Sequence, residues 1–234
     1  MRTVIRIFAA VAAVLMLYGL AAVGLNAIFN RTGRLEKEYR TELEIEKYYD
    51  ISAEDAARVL THMMRYSTGR EDELESVTIT EDGRDVPFFN ETELSHMRDV
   101  RKLARTILWS GAICLIVSLV TLYLLFIFDQ TDELKIFAKA YLIALAAAVA
   151  IIIALAIWVA VDFDGFWTVF HRVFFAKQGN WTFDPAVSRM IRICPAELFA
   201  DFVGKLGSYA AILTGAVGIV CVLCLMRAKR KKAQ

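Results

Sequence analysis

The sequence predicts an all-α integral membrane protein that crosses the bilayer with four helices. Of its 234 residues, 57% are hydrophobic, and the mean hydropathy of +0.47 is too high for an ordinary soluble domain. Four apolar runs contain no Asp, Glu, Lys or Arg and reach the about 17–25 residues that a transmembrane helix needs. Within a single membrane domain, residues 1–234, the runs are residues 7–29, 107–128, 140–161 and 208–226.

The first run has two interpretations. Arg2 and Arg6 precede it, as basic residues precede the apolar core of a secretory signal peptide. Its apolar stretch is longer than the about 7–15 residues of a signal peptide core. We therefore interpret it as a retained transmembrane helix.

A basic C-terminal tail predicts the orientation in the membrane. Five positive charges follow the fourth run directly, in residues 227–232, and such clusters stay on the cytoplasmic side. Four spans then place the N-terminus in the cytoplasm as well. The two long connections, residues 30–106 and 162–207, are expected at the outer face.

The first outer segment is expected to fold as a mainly helical cap. Ser52 has the pattern of a helix N-cap. The step Asp82-Gly83 lies between two short β-prone runs and predicts a β-hairpin. Asn90 and Glu93 have the spacing of a capping box, so a helix is expected to begin there and continue into the second span.

That helix separates a histidine from a set of cations. On a helical wheel, His96 lies between Val100 and Leu103. The imidazole is therefore expected to face protein or bilayer. The opposite face, which we expect to meet water or lipid phosphate, carries Arg98, Arg101, Lys102 and Arg105.

The second outer segment opens with an aromatic stretch, residues 162–185. It holds six of the fifteen phenylalanines of the chain and is too short to add a further span. Trp and other aromatic side chains collect at membrane–water boundaries, so we interpret it as an interfacial segment. As a helix, its aromatic stripe is Phe163, Phe166, Trp167, Phe170 and Phe174.

Two histidines are candidates for acid–base chemistry. His96 and His171 both fall beside a span at the predicted outer face, and each has a carboxylate nearby in sequence, Asp99 and Asp164. Imidazole suits proton transfer near neutral pH. One ring can take a proton from a nucleophile while the other donates to a developing oxyanion. The third histidine, His62, is interpreted as a surface or packing residue.

Motifs for other chemistries are absent from the sequence. There is no G-x-S-x-G nucleophile elbow, no H-E-x-x-H zinc motif and no phosphate-binding G-x-x-x-x-G-K-[ST] loop. We expect no metal, no cofactor and no nucleic-acid partner. An enzyme built on these histidines would use a nucleophile of its substrate, or a histidine directly, and its substrate would be lipid-like.

Three motifs carry a resemblance to a known family. The sequence is similar to the bacterial lipoprotein intramolecular transacylase (Lit) family over nearly the whole chain. The matching residues are Leu94-Ser95-His96-Met97-Arg98-Asp99-Val100, Phe163-Asp164-Gly165-Phe166-Trp167-x-x-Phe170-His171-x-x-Phe174-Phe175, and Trp181-x-Phe183-Asp184-Pro185.

The resemblance implies a reaction at the outer face of the bacterial cytoplasmic membrane. The sn-2 acyl chain of a diacylglyceryl-cysteine lipoprotein moves to the α-amine of the same cysteine, giving a lyso-form lipoprotein. It implies catalytic roles for His96 and His171, with Asp99 and Asp164 as supporting groups. The residues leave open which histidine is the base; we favour His171 as base and His96 as hydrogen-bond donor or proton shuttle. The partners are diacylated bacterial lipoproteins and membrane lipid. The expected substrate-binding side chains are Phe166, Trp167, Phe170, Phe174, Phe175, Trp181 and Arg98.

Two other functions stay open at this point. One is a non-catalytic membrane protein that binds lipid or assembles with partners, in which the histidines are structural. The other is a small transporter. It is disfavoured because none of the four runs carries a charged residue, and such residues usually mark a transport pathway.

Overall fold

A computed structural model describes residues 2–81, 83–128, 132–175 and 179–230. Among these residues there are nine α-helices and one antiparallel pair of strands. In chain order they are α1 (Arg2–Phe29), α2 (Leu35–Thr41), α3 (Ile45–Tyr48), α4 (Ala53–Thr68), β1 (Thr78–Glu81), β2 (Arg84–Pro87), α5 (Glu91–Phe128), α6 (Asp132–Val161), α7 (Phe163–Phe175), α8 (Arg189–Ile193) and α9 (Ala196–Arg230).

Four of the helices, α1, α5, α6 and α9, are long and apolar enough to cross a membrane. The predicted fold class is therefore confirmed. The helices extend beyond their apolar runs. α5 has 38 residues, about 57 Å at the usual rise of about 1.5 Å per residue, whereas the hydrocarbon core is about 30 Å thick. α5 is thus longer than one crossing of the hydrocarbon core requires.

The chain divides into two compact units. The span unit comprises Met1–Leu25, Leu108–Phe166 and Leu206–Gln234, and the histidine unit comprises Asn26–Ile107 and Trp167–Lys205. Both α5 and α7 contribute residues to each unit. All three histidines of the chain belong to the histidine unit.

Small residues and a few hydrogen bonds hold the span unit together. A Cβ added at Gly111 would lie 2.2 Å from the Cβ of Ala22, so α1 and α5 approach more closely than a larger side chain allows. Ser118 donates to the carbonyl of Ala12 at 2.8 Å across the same helix pair. This bond satisfies the hydroxyl group of Ser118, which has no water partner in hydrocarbon.

The histidine unit has its own apolar core. α2 packs on α4, and Tyr39 of α2 donates to the carbonyl of Ile193 at the end of α8, at 2.5 Å. Ser52 caps α4 by accepting from the amide of Asp55 at 3.0 Å, as its sequence pattern predicted. The fully buried side chains at the centre of this core include Tyr39, Val59, Leu74, Phe88, Ile193 and Leu198.

The predicted hairpin is present. Strand β1 pairs with β2 so that Ile79 lies opposite Val86 and Glu81 lies opposite Arg84. Gly83 in the turn has φ of 74°, which glycine adopts without the strain that a side chain would bring. Asp82, the other residue of the predicted turn, lies outside the described residues.

A buried carboxylate fixes the start of α5. Glu93 is 1% exposed. Its oxygens accept from the amide of Asn90 at 2.8 Å, from the hydroxyl of Ser188 at 2.5 Å and from the amide of Met190 at 3.1 Å. Asn90 completes the capping box by accepting from the amide of Glu93 at 3.0 Å. This group, the Glu93 clamp, ties the first turn of α5 to the first turn of α8.

Candidate functional site

His96 lies one turn beyond the Glu93 clamp, on the buried face of α5. Its side chain is 6% exposed. The ring meets the edges of Phe175 and Phe183, with centroid separations of 5.1 and 5.4 Å and interplanar angles of 66° and 67°. Because the clamp sets the rotation of the first turn of α5, it also sets the direction in which this imidazole projects.

His171 is buried on α7, with 3% of its surface exposed. Its Nδ1 lies 2.9 Å from the carbonyl oxygen of Trp167, one turn earlier. A carbonyl oxygen only accepts, so Nδ1 carries the hydrogen and donates it. In the neutral ring this leaves the lone pair on Nε2, which is therefore the atom able to take up a proton.

The two imidazoles face each other. Their ring centroids are 5.8 Å apart and their planes are inclined by 24°, although 75 residues separate them in the chain. The sequence placed both histidines beside a span, and the structure brings them together. They lie close enough to act on neighbouring atoms of one bound molecule.

Aromatic rings enclose His171 on several sides. Trp181 stacks on its imidazole at 5.2 Å with an angle of 28°. The other centroid distances to this imidazole are 4.3 Å for Trp167, 5.4 Å for Phe170 and 5.5 Å for Phe175. These four residues are among the predicted substrate-binding side chains.

Burial keeps both histidines neutral. Desolvation of the ring is the main cause that lowers the pKa of His96, to about 4, and the nearby His171 lowers it further, while Asp99 acts against both. Desolvation also lowers the pKa of His171, partly opposed by its hydrogen bond to Trp167. A neutral imidazole is the form that accepts a proton from a substrate.

The ring of His96 has an incomplete set of hydrogen bonds. Its Nδ1 is buried and has no hydrogen-bond partner among the described residues. Leaving such an atom without a partner costs about 1–3 kcal/mol. Buried polar atoms without a partner are uncommon in folded proteins, so this nitrogen is suited to a group that a ligand brings.

Asp99 forms part of a second polar contact beside His96. It accepts a hydrogen bond from Nδ2 of Asn180 at 3.0 Å, and the same nitrogen lies 3.0 Å from the hydroxyl oxygen of Ser95. The carbonyl oxygen of Asn180, a residue that is 8% exposed, has no partner among the described residues. His96, Asp99, His171 and Asn180 are called the histidine cluster below.

Asn180 was not predicted from the sequence as a site residue. Its partners on α5 are 81 and 85 residues away, and no local pattern reports contacts of that separation. The available signal is a single asparagine between Gly179 and Trp181 in an otherwise aromatic stretch. Phe183, which flanks His96, belongs to the predicted aromatic stretch but was not predicted as a site residue.

Two predicted site residues belong to the span unit. Asp164 is exposed in the first turn of α7. Phe166 meets the edge of Trp158 at 5.5 Å and 88°. The nitrogen of His171 that a supporting carboxylate would orient is bonded to the Trp167 carbonyl instead. The roles predicted for Asp164 and Phe166 stay predictions.

Phe174 and Arg98 lie at the surface of the histidine unit. Phe174 is half exposed and contacts Phe170 at 4.9 Å. Arg98 is exposed and lies 3.6 Å from Glu75, and an exposed ion pair of this kind contributes little to stability. Both side chains are accessible to a lipid or lipoprotein from outside the aromatic enclosure.

The expectation for Arg101 was wrong. It was assigned to a face that meets water or lipid phosphate, but its guanidinium lies over the ring of Tyr66 at 4.4 Å. It also donates to the carbonyls of Glu71 and Asp72 at 3.0 and 2.9 Å. The ring of Tyr66 in α4 and the carbonyls after α4 compensate the cation for its loss of water.

In the part of the chain that the structure describes, no three His, Cys, Asp or Glu side chains are grouped so that they could hold a metal ion. What the histidine cluster offers is acid–base chemistry. One neutral imidazole presents Nε2 as a proton acceptor. A second imidazole faces it, and beyond that ring lies the carboxylate of Asp99 with the amide of Asn180 bonded to it.

The comparisons with known proteins agree with this architecture. The structure of the membrane integral lipoprotein intramolecular transacylase Lit from Bacillus cereus matches with a TM-score of 0.74 at 16% identity, over 100% of this chain and 99% of that chain. Forms of that protein with one histidine changed to arginine or to alanine match with TM-scores of 0.72 and 0.71 at 16% and 17% identity. They cover 99% of this chain and 94% and 97% of theirs.

At these identities the likeness establishes the fold. A search of curated protein sequences found no match. A sequence profile of the family described as lipoprotein intramolecular transacylase Lit matches residues 8–199, which is most of the chain. The protein therefore belongs to the Lit family, and it is a multi-pass bacterial membrane protein and an acyltransferase.

Proposed function

We propose that this protein moves the sn-2 acyl chain of a diacylglyceryl-cysteine lipoprotein to the α-amine of the same cysteine. The observation that carries the proposal is the facing pair of buried, neutral imidazoles. One has Nε2 as its proton acceptor, and the other has a buried ring nitrogen without a partner among the described residues. Family membership supports the choice of a lipoprotein as substrate.

The reaction begins with attack by the substrate's own amine. The nitrogen forms a bond to the ester carbonyl carbon, and the electron pair of the carbonyl moves onto its oxygen. Nε2 of His171 takes a proton from the attacking nitrogen. A ring N–H of His96 donates a hydrogen bond to the oxyanion, which is the usual way to stabilise charge at this stage.

Collapse of the tetrahedral intermediate completes the transfer. The bond between the carbonyl carbon and the glycerol oxygen breaks, and the proton on His171 passes to that oxygen. The products are an amide at the cysteine and a free sn-2 hydroxyl, and both imidazoles end neutral. No nucleophile of the protein is consumed, because amine and ester are parts of one molecule and proximity supplies much of the rate.

The aromatic enclosure has two roles in this reaction. Trp167, Phe170 and Trp181 present apolar surface on which an acyl chain can pack. They also exclude water, which strengthens hydrogen bonds to the oxyanion and suppresses hydrolysis of the ester. Asp99 remains a supporting group through its influence on His96.

The site is assigned to the outer face of the bacterial cytoplasmic membrane. The basic residues that follow the fourth span favour a cytoplasmic C-terminus, and four spans return the N-terminus to the same side. Diacylated lipoproteins then reach the site from the outer leaflet. The boundaries of the spans at about residues 7–29, 107–128, 140–161 and 208–226 are part of this proposal.

The test is expression in a bacterium whose lipoproteins are diacylated with a free amine. Mass spectrometry of lipoprotein N-termini should show one acyl chain on the amine and one on glycerol, with no change in total acyl mass. Lipoproteins that stay diacylated with a free amine, in cells where the protein is present in the membrane, would contradict the proposal. Lipid that co-purifies in that case would favour the non-catalytic, lipid-binding alternative.

A further inference from the structure

The amide of Asn180 has an orientation that its neighbours impose. Asp99 offers a carboxylate oxygen at 3.0 Å, and a carboxylate only accepts hydrogen bonds. The amide nitrogen must therefore face Asp99, and it reaches Ser95 at the same distance. The reversed amide would place its carbonyl oxygen against the carboxylate, which is repulsive. Oδ1 of Asn180 therefore points away from the carboxylate of Asp99.

That oxygen is a buried acceptor without a donor. Asn180 is more than nine-tenths buried, and Oδ1 has no hydrogen-bond partner among the described residues. Asn180 is in a short connection outside the spanning helices. Because desolvated carbonyl oxygens are normally paired, an acceptor in this state is suited to a donor that a ligand brings.

Asn180 is joined to both catalytic histidines through its neighbours. The next residue, Trp181, stacks on His171 at 5.2 Å. The amide bonds to Asp99, which is one helical turn from His96 and whose charge acts on that imidazole. Asn180 thus belongs to the same group of packed side chains as the two rings.

We infer that Oδ1 of Asn180 receives a hydrogen bond from the N-terminal amine of the lipoprotein. This inference rests on the proposed acyl transfer, because that reaction supplies a ligand with several N–H donors. One N–H is directed to Nε2 of His171 and another to Asn180. Two acceptors fix the lone pair of the neutral amine toward the ester, and the proton that the nitrogen loses on attack goes to Nε2 of His171.

Asn180 is therefore a substrate-binding residue that orients the nucleophile. Its effect on binding can be measured separately from transfer of the acyl chain. The probe is a diacylglyceryl-cysteine lipopeptide with an ether in place of the sn-2 ester, so that no acyl chain moves. It is made with a free α-amine and, as the matched form, with hydrogen in place of the amine. Dissociation constants for both are measured with the full-length protein in lipid nanodiscs.

The wild type should bind the amine form about tenfold more tightly than the deaminated form, because the amine donates hydrogen bonds to both His171 and Asn180. Asn180→Ala keeps only the acceptor on His171, so the preference should fall to about threefold. Ser95→Ala removes one partner of the amide nitrogen but leaves Oδ1, so it should keep the preference. Asn180→Ser, which removes Oδ1 but keeps a donor group for Asp99, should lower it as Asn180→Ala does.

Two results would overturn the assignment: an unchanged amine preference in Asn180→Ala, or no preference in the wild type. Asn180→Ser covers the case in which the alanine variant is unfolded, since an unchanged amine preference in the folded Ser variant also overturns it. Conversion of the ester lipopeptide is followed in parallel. A wild type that prefers the amine form but converts no ester would contradict the acyl transfer and support the role of Asn180.

Discussion

Two buried polar groups lie within the first three turns of α5, and they differ in how completely their hydrogen bonds are made. In the Glu93 clamp, the carboxylate accepts from Asn90, Ser188 and Met190. In the histidine cluster, Nδ1 of His96 and Oδ1 of Asn180 have no partner in the described part of the chain. Both groups include buried residues of α5, but only in the Glu93 clamp are the hydrogen bonds complete.

The difference separates a structural role from a functional one. A buried polar group with all of its partners fixes one arrangement of the chain. Each unpartnered atom in the histidine cluster instead costs the folded protein about 1–3 kcal/mol. The fold tolerates this cost where a substrate supplies the missing partners. Changes in the clamp should therefore reduce stability, and changes in the cluster should reduce activity.

The largest expected effect is on catalysis. His171→Ala removes the proton acceptor, and general-base catalysis contributes about 10²–10⁴-fold to a rate. Conversion of a diacylglyceryl lipopeptide should fall by that factor, measured as initial rate in nanodiscs. His62→Ala is the matched control, because His62 lies outside the cluster and its ring contacts the carbonyl of Glu73 at 3.0 Å. Equal rates for the two variants would remove His171 from the mechanism.

His96→Leu should separate activity from stability. Loss of the oxyanion donor lowers the rate by about 10²–10³-fold. The leucine also removes the unpartnered Nδ1, so the free energy of unfolding should stay unchanged or rise by about 1 kcal/mol. Rates and thermal unfolding midpoints are measured on the same preparations. A variant that is both inactive and markedly less stable would indicate that His96 is a structural residue.

Glu93→Ala should give the opposite pattern. It leaves the amides of Asn90 and Met190 and the hydroxyl of Ser188 without their acceptor, and we expect a loss of about 3 kcal/mol in the free energy of unfolding. The rate per folded molecule should stay within a few-fold of the wild type at low temperature. A rate that falls as far as in His171→Ala, with stability intact, would reverse the roles assigned to the two groups.

The pH dependence of stability gives a smaller test. The imidazole of His96 has its ordinary pKa of 6.5 in the unfolded chain and about 4 when folded. As the pH falls, the unfolded state takes up the proton first. Stability is therefore fully present above about pH 6.5 and is lost between 6.5 and about 4, by up to about 3 kcal/mol. His171 acts in the same direction.

The comparison with His96→Leu isolates this contribution. Thermal unfolding midpoints of the wild type should fall more steeply below pH 6.5 than those of the variant, because the variant has one titrating ring fewer. Curves that run parallel through this range would show that burial of His96 does not depress its pKa.

Local patterns were enough to predict much of this fold. Runs without charge marked the membrane helices, and Asn90 with Glu93 marked the start of α5. The same capping pair, however, gave no indication that Glu93 also accepts a hydrogen bond from Ser188, which is 95 residues away in the chain. Contacts of this kind depend on how helices pack, and hydropathy along the chain does not record packing.

The site was predicted in part for the same reason. Orientation rules placed His96 and His171 on one side of the membrane, and the aromatic stretch indicated the rings around His171. Arg101 was misplaced because a helical wheel does not show that Tyr66 lies opposite it. The role of Asn180 depends on which of its amide atoms is paired, and that is known only once Asp99 and Ser95 are in place.

The central claim is that the acyl chain stays within one molecule during transfer. A crossover experiment tests it most directly: two diacylglyceryl lipopeptides are mixed, one with an isotopically heavy sn-2 acyl chain and the other with a heavy peptide. After conversion by the wild-type protein, mass spectrometry should show each heavy acyl chain on the light peptide that carried it. Heavy acyl chains on heavy peptides would reveal transfer between molecules and contradict the account.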